Sequence, residues 1–405
     1  MKMKLAGRLL LVLAIALVSA SAMSPQSSTE TEIRIGNLMP YTGPLAEFAA
    51  IGKAESAYFD MINDRGGING RKVRFISLDD KSDPTVALDL TRGLVERDNV
   101  LLMFGSFGSA ANLAVRGFLN ERKVPQLFVD SGAEQLIAPD AFPWTMGWQP
   151  SFRAEGRIYA NYIEASYPQR KIVVLWQNDQ FGRDIFKGIE EGLGDLAHLI
   201  IVDVAFDIAD QFIDGHVSIL KRSGAEILVF AGVPSTASHV IRLAADMHWH
   251  PVVLLNDAAA SIGNALNPAG IENSAGVISA SFLKDPSDPA WKDDAGIKNW
   301  LSFMEKYYPN GDKGSNAALY GYAAAETLAQ VLKQCGDDLS RENVMRQATS
   351  LREDEPSALL PGVKINTDPE NFRPIRQLRL VQFDGRTWQP IGDVIETAFS
   401  DARKR

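Results

Sequence analysis

The residues with most to offer chemically are the hydroxyls and glycines of two short loops. Gly105-Ser106-Phe107-Gly108-Ser109 follows an apolar strand and opens a helix. Unpaired N–H groups at a helix N-terminus, aligned with the helix dipole, attract a carboxylate or another anion. Ser106 and Ser109 add hydroxyls there, and Gly108 leaves the backbone open to approach. After the next strand, Ser131-Gly132-Ala133 supplies a further hydroxyl and flexible backbone amides. Both loops fall at the carboxyl ends of parallel strands, where open α/β sheets bind ligands. The same serines would also serve as plain helix caps, and local spacing weights the two readings equally.

The motifs of covalent, metal and nucleotide chemistry are missing. The chain has no G-x-S-x-G elbow, no H-E-x-x-H helix and no G-x-x-x-x-G-K phosphate loop. The Gly105 loop lacks the G-x-G-x-x-G spacing of a dinucleotide turn. Cys335 lies in a helical pattern without a histidine close in sequence, which points to a core or surface thiol rather than a nucleophile. His248-Trp249-His250 occupies a short helix-to-strand loop with no third ligand nearby, so a structural role is expected. From these motifs no catalytic, cofactor or metal site is expected.

These loops need a scaffold, and the chain is long enough for two or three domains. It has 405 residues, 46% apolar and 22% charged, the balance of a globular protein. A net charge of -9 and a pI near 5.2 oppose nucleic acid as a partner. Lys2, Lys4 and Arg8 precede the apolar run Leu9 to Val18 and then Ser19-Ala20-Ser21-Ala22. That order predicts a secretory signal peptide over residues 1–22, cleaved after Ala22, with no cysteine at the cut to carry a lipid. The expected location is the periplasm.

From Glu32 the pattern becomes regular. Glu32 to Leu38 alternates like a strand, and Ala54, Ala57, Tyr58, Met61 and Ile62 share one helical face. Lys72 to Leu78 reads as a strand, Asp83-Pro84 opens a helix to about Asp98, and Val100 to Phe104 is a buried strand. Ala110, Leu113, Ala114, Gly117 and Phe118 then suggest a helical face, and Pro125 to Val129 a strand. This βαβαβαβ order predicts a mostly parallel sheet covered by helices. It restarts after Trp148-Gln149-Pro150, with strands at Ile172, His198, Glu226 and Pro251 alternating with helices. Beyond Ala280 three helices follow without strands, and then a hairpin turning at Asp384-Gly385. Helices without a sheet of their own must pack on one already made. The fold class is therefore α/β, with two doubly wound lobes. The first takes residues 32–148 plus 280–355 and the second 149–279 plus 356–400, with a cleft between them.

Several motifs in order carry a resemblance. Gly36 to Pro44, Gly66-Gly67-Ile68-Asn69-Gly70, Asp79-Asp80 with Asp83-Pro84, Phe104-Gly105-Ser106, Asn178-Asp179-Gln180-Phe181-Gly182 and Pro268-Ala269-Gly270 resemble the leucine/isoleucine/valine-binding protein family. The resemblance covers nearly all of the chain after the signal peptide. It implies the type I periplasmic binding protein fold, two lobes joined by a three-strand hinge, and a receptor that serves the membrane permease of an ABC importer. It implies that Ser109, with Gly108, and the loop of Ser131 and Ala133 hold a ligand carboxylate. It places Asp257 where the family meets a ligand ammonium, and Phe48 and Phe181 where some members carry tyrosines. Pro143-Trp144 to Trp148-Gln149-Pro150 looks like the branch that includes receptors for aromatic carboxylic acids, with Trp148 or Trp144 as a pocket wall or, equally weighted, as packing in the hinge. The expected ligand is a small hydrophobic carboxylate, a branched-chain or other apolar amino acid. The alternatives are a benzoate-like acid, or an extracytoplasmic sensor built on the same fold.

Overall fold

The computed structural model describes residues 32–210 and 212–397. The expected signal peptide and the last residues of the expected second lobe lie outside them. The first sheet is built from β1 (Glu32–Met39), β2 (Lys72–Asp79), β3 (Leu102–Phe104), β4 (Gln126–Val129) and β5 (Thr145–Gly147). Its order is β2-β1-β3-β4-β5 and all its pairs are parallel. The helices α1 (Ala50–Asp64), α2 (Pro84–Glu96) and α3 (Ser109–Glu121) connect it. The α1 face predicted from Ala54, Ala57, Tyr58, Met61 and Ile62 is buried throughout. Asp83 caps α2 by accepting the Thr85 N–H at 2.7 Å, with Pro84 at the first helical position.

The buried face of α3 differs from the one expected. Ala111, Asn112, Val115 and Leu119 are buried, not the Ala110-Leu113-Ala114-Gly117-Phe118 stripe. The pivot is Asn112, whose side-chain N–H groups donate to the Ser106 and Gly108 carbonyls at 2.7 and 2.8 Å. Tying the loop down this way turns the helix by about one residue, roughly 100°. Phe118 is left on the flank, under the Arg122 guanidinium at 4.0 Å.

The second sheet follows α4 (Phe152–Ser166) and contains β6 (Ile172–Gln177), β7 (Ile200–Phe206), β8 (Ile227–Ala231), β9 (Val252–Leu255) and β10 (Ile278–Ser281). Between them lie α5 (Gln180–Leu193), α6 (Ile213–Arg222), α7 (Pro234–Asp246) and the single turns α8 (Asn267–Ala269) and α9 (Ile271–Ser274). Helices α10 (Ala295–Tyr307), α11 (Asn316–Gln334) and α12 (Arg341–Ala348) return to the first sheet, with α10 and α11 packed on α1. The hairpin β11 (Gln377–Phe383) and β12 (Trp388–Glu396) completes the order β12-β11-β10-β9-β8-β6-β7, with β11 antiparallel to β10.

The chain thus passes between the two sheets three times, and the passes lie side by side. Gly147 donates to the Phe372 carbonyl at 3.1 Å, Ile375 to Trp148 at 3.2 Å, and Leu360 to Phe282 at 2.9 Å. Trp148 is fully buried among them, in edge contact with Tyr320 and Phe282.

Candidate functional site

A cavity of about 250 Å³ lies between the carboxyl ends of the two sheets. The loop after β3 and the first turn of α3 make one wall, joined by the loop after β4. The loops after β6, β8 and β9 make the other, and the first turn of α11 closes the side. The loop after β3 depends on glycine twice. Gly105 has φ +60° and a Cβ there would lie 2.1 Å from the buried Glu55 carboxylate, while Gly108 has φ +88° and open space where a Cβ would be. Gly108 is the N-cap of α3, and its open side faces the cavity. Ser109 then starts the helix with its Oγ 2.8 Å from the Oγ of Ser131. Two hydroxyls and the first N–H groups of a 13-residue helix therefore converge on one point.

Two aromatic pairs face the same space. Phe48 stacks on Phe107 with centroids 4.8 Å apart, and across the cleft Phe181 meets Phe152 edge-on at 4.8 Å. They give a ligand an apolar body contact from both sides.

The cavity is acidic. Glu47, Asp80, Asp130, Asp179 and Asp257 line it, and among the described residues no lysine, arginine or histidine does. Asp257 opens a short turn after β9, and its N–H donates to the Glu155 carboxylate at 2.6 Å. Burial pushes the Asp257 carboxyl up to about 7, with the Asp285 charge adding to it and a Ser281 hydroxyl opposing it. Burial, then the charge of Asp257, takes Glu155 to about 8. Asp130 rises to about 7 by burial beside the Tyr320 hydroxyl, and Asp80 to about 6 by burial. Asp179 is raised by burial while it caps α5 on the Gly182 N–H at 3.0 Å. Glu47 spans the cleft: its carboxylate accepts the Ser235 hydroxyl at 2.9 Å and the Ser235 N–H at 3.3 Å, at the start of α7.

Of the residues expected from sequence, Gly108, Ser109, Ser131, Phe48, Phe181 and Asp257 come together around this cavity. Ala133 does not line it; it is buried behind the wall and its N–H donates to Ser131 Oγ at 3.2 Å. That bond orients the serine hydroxyl, so the expected contact of Ala133 with a ligand is replaced by a supporting one. Trp148 is also corrected. Its indole N–H donates to Thr327 at 3.1 Å and its ring is enclosed by the three crossings, leaving no face toward the cavity. Trp144 does not line it either, and its N–H is tied to Asn120 at 3.0 Å. Cys335 is buried where α11 ends, and Trp249 anchors its loop through an indole bond to the Ala225 carbonyl at 3.2 Å.

A family model described as "Periplasmic binding protein" matches residues 32–387. The chain belongs to that family. Similar proteins include Leu/Ile/Val-binding protein homolog 1 of Brucella abortus, 25% identical over 80% of this chain and 84% of the relative. An amino acid binding protein of Pseudomonas aeruginosa is 23% identical over the same shares. Among solved structures, a branched-chain amino acid ABC transporter protein from Thermus thermophilus, with bound valine, superposes with a TM-score of 0.82 at 18% identity, covering 91% of this chain and 97% of that one. The two parallel-stranded sheets are those of the type I periplasmic binding protein fold, as the resemblance to the leucine/isoleucine/valine-binding proteins implied. The protein is a member of the periplasmic binding protein family and not an enzyme.

Sequence reasoning missed Phe107 and Phe152, and it missed the carboxylates Glu47, Asp80, Asp130 and Asp179. Asp179 reads locally as a helix cap, which it also is. Asp80 and Asp130 each directly follow a strand, the same position that singled out the serine loops, and that is the signal that would have found them.

Proposed function

We propose that this protein is a receptor for an apolar α-amino acid, captured in the cleft and delivered to the membrane permease of an ABC importer. The observation that carries the reading is the meeting of a carboxylate site and an ammonium site in one cavity. The Ser109 and Ser131 hydroxyls and helix N–H groups gather at one point to suit a carboxylate, and Asp257 faces the same space from the other wall to suit an ammonium, with no basic side chain lining the cavity among the described residues. Ser109, Ser131 and the Gly108 backbone take the ligand carboxylate, Asp257 takes the ammonium, and Phe48 and Phe181 cover the side chain. The lobes, residues 32–148 with 280–355 and 149–279 with 356–400, close by bending at the three crossings. Closure needs only stronger contacts in the closed state than in the open one. The N-terminal leader exports the chain to the periplasm.

One observation favours a second ligand class. An Asp257 carboxyl pushed up to about 7 holds a proton at mildly acidic pH, and a neutral carboxyl beside two phenylalanines leaves room for an aromatic carboxylic acid. A thermal-shift screen separates the two, because ligand at 100 times its Kd adds about 2.7 kcal/mol of stability. Stabilisation by leucine, valine or phenylalanine, lost in Asp257→Asn, supports the amino acid. Stabilisation by benzoate alone rejects it.

A further inference from the structure

Behind Asp257 lies a second chamber of about 280 Å³. Its lining is mixed: Trp291 and Trp388, with Leu360, Pro361, Val381 and Pro390, give an apolar part, and Asp285 and Arg379 are among its polar residues. It is bounded by the turn Pro289–Trp291, the face of β10 and β11, and the start of β12. Asp257, Ser281, Leu283 and Asn316 line this chamber and the main cavity alike, so the partition between the two is a single layer of side chains. In that layer the Asn316 side-chain oxygen is a buried acceptor with no hydrogen-bond partner among the described residues. Such an orphan is costly, and a ligand's ammonium head beside Asp257, not its apolar chain, is the donor that would satisfy it. Size bears on the second chamber. Small-molecule pockets run from about 300 to 1,000 Å³. The main cavity alone falls short of that range, and the two chambers together enter it.

We propose that the second chamber is a side-chain subsite, and that the ligand is an amino acid whose unbranched or aryl-tipped apolar side chain is longer than that of leucine. The head group stays at Asp257, which belongs to both chambers, and the side chain passes over Asn316 and Leu283 to lie between Trp291 and Trp388. Only the choice of head group rests on the amino-acid reading above; the chamber is independent of it.

Calorimetric titration with norvaline, norleucine, 2-aminooctanoic acid and 2-aminodecanoic acid tests the subsite. Affinity is expected to rise about fourfold per methylene past norleucine, as for burying a CH₂ group. Ala290→Trp and Gln389→Trp, made at exposed positions that line the chamber, fill it. Each is expected to abolish the gain with length while leaving norvaline binding unchanged. Flat or falling affinity past norleucine in the native protein overturns the subsite, as does a gain that survives both filled variants. Hexanoate, octanoate and decanoate form the parallel arm. Binding by these and not by the amino acids defeats the head-group reading, and the same length dependence then judges the chamber. Binding by neither series defeats both.

Discussion

The hydroxyl oxygens of Ser109 and Ser131 stand 2.8 Å apart, although one begins a helix and the other follows the neighbouring strand. The contact brings together two strand ends, and neither serine reaches it without the other's loop. Ser131 is itself held by the Ala133 N–H, so the pair is oriented before a ligand arrives. Such preorganisation spares the ligand part of the ordering cost of binding.

Ser109→Ala removes one charge-assisted bond to the ligand carboxylate and is expected to weaken binding by ~1–2 kcal/mol, roughly 5- to 30-fold. Calorimetric titration with the tightest-binding amino acid from the thermal-shift screen reads this directly. An unchanged Kd in folded protein would remove Ser109 from the site.

Binding depends on pH in a direction that reports the ligand class. Asp257 titrates near 7 in the folded protein and near 3.9 unfolded, so the folded state holds the extra proton between those values. Its contribution to the stability of the ligand-free protein therefore falls as pH rises from about 4 to about 7 and stays low above. An ammonium favours the ionised carboxylate, so leucine affinity should climb by at most about tenfold per pH unit up to about 7 and then level off. A plain aromatic acid shows the reverse slope. Asp130 near 7, Asp285 near 6 and Glu155 near 8 broaden the curve, and Asp257→Asn isolates the contribution of Asp257. A leucine Kd that is constant from pH 5 to 8 contradicts the pairing.

Glu47 and Ser235 hold the two walls together at the cavity rim. Ser235→Ala should cost the closed form ~0.5–1.5 kcal/mol and weaken ligand two- to tenfold, through faster release. Small-angle scattering should show less compaction at a given ligand concentration. Native release rates in the variant would mean that this bond plays no part in closure.

Trp148 tests the hinge separately from the ligand. Trp148→Ala empties the space between the crossings and should destabilise the fold by ~3–5 kcal/mol. Trp148→Phe keeps most of the packing, loses the bond to Thr327, and should leave ligand affinity unchanged. Weaker binding by a fully folded Trp148→Phe protein would return the residue to the site.

Legibility followed locality. Helix α1 was readable because Ala54, Ala57, Tyr58, Met61 and Ile62 make an apolar stripe at helical spacing, with the buried Glu55 beside it. The face of α3 was not, because its deciding residue, Asn112, is polar and is buried for its hydrogen bonds. Strand β5 has three residues and pairs only with β4, so no periodicity announces it. In the site, the serine loops were marked by position at strand ends, and Asp257 by family register. Asp130 follows a strand as the serine loops do, but its burial was not legible, because its surroundings, Tyr320 above all, come from a helix nearly two hundred residues away.

The placement of the β11–β12 hairpin bears on how the molecule is made. The first sheet has its last strand in hand at Gly147, but β10 of the second sheet finds its outer neighbour only in residues 377–383. Until those residues arrive, β10 presents a bare edge to other chains. Growth from the N-terminus therefore leaves one sheet complete and the other open for more than two hundred residues of synthesis. A chain cut before Gln377 keeps every residue of the main cavity and still exposes that edge, so its expected fate is aggregation rather than weaker binding.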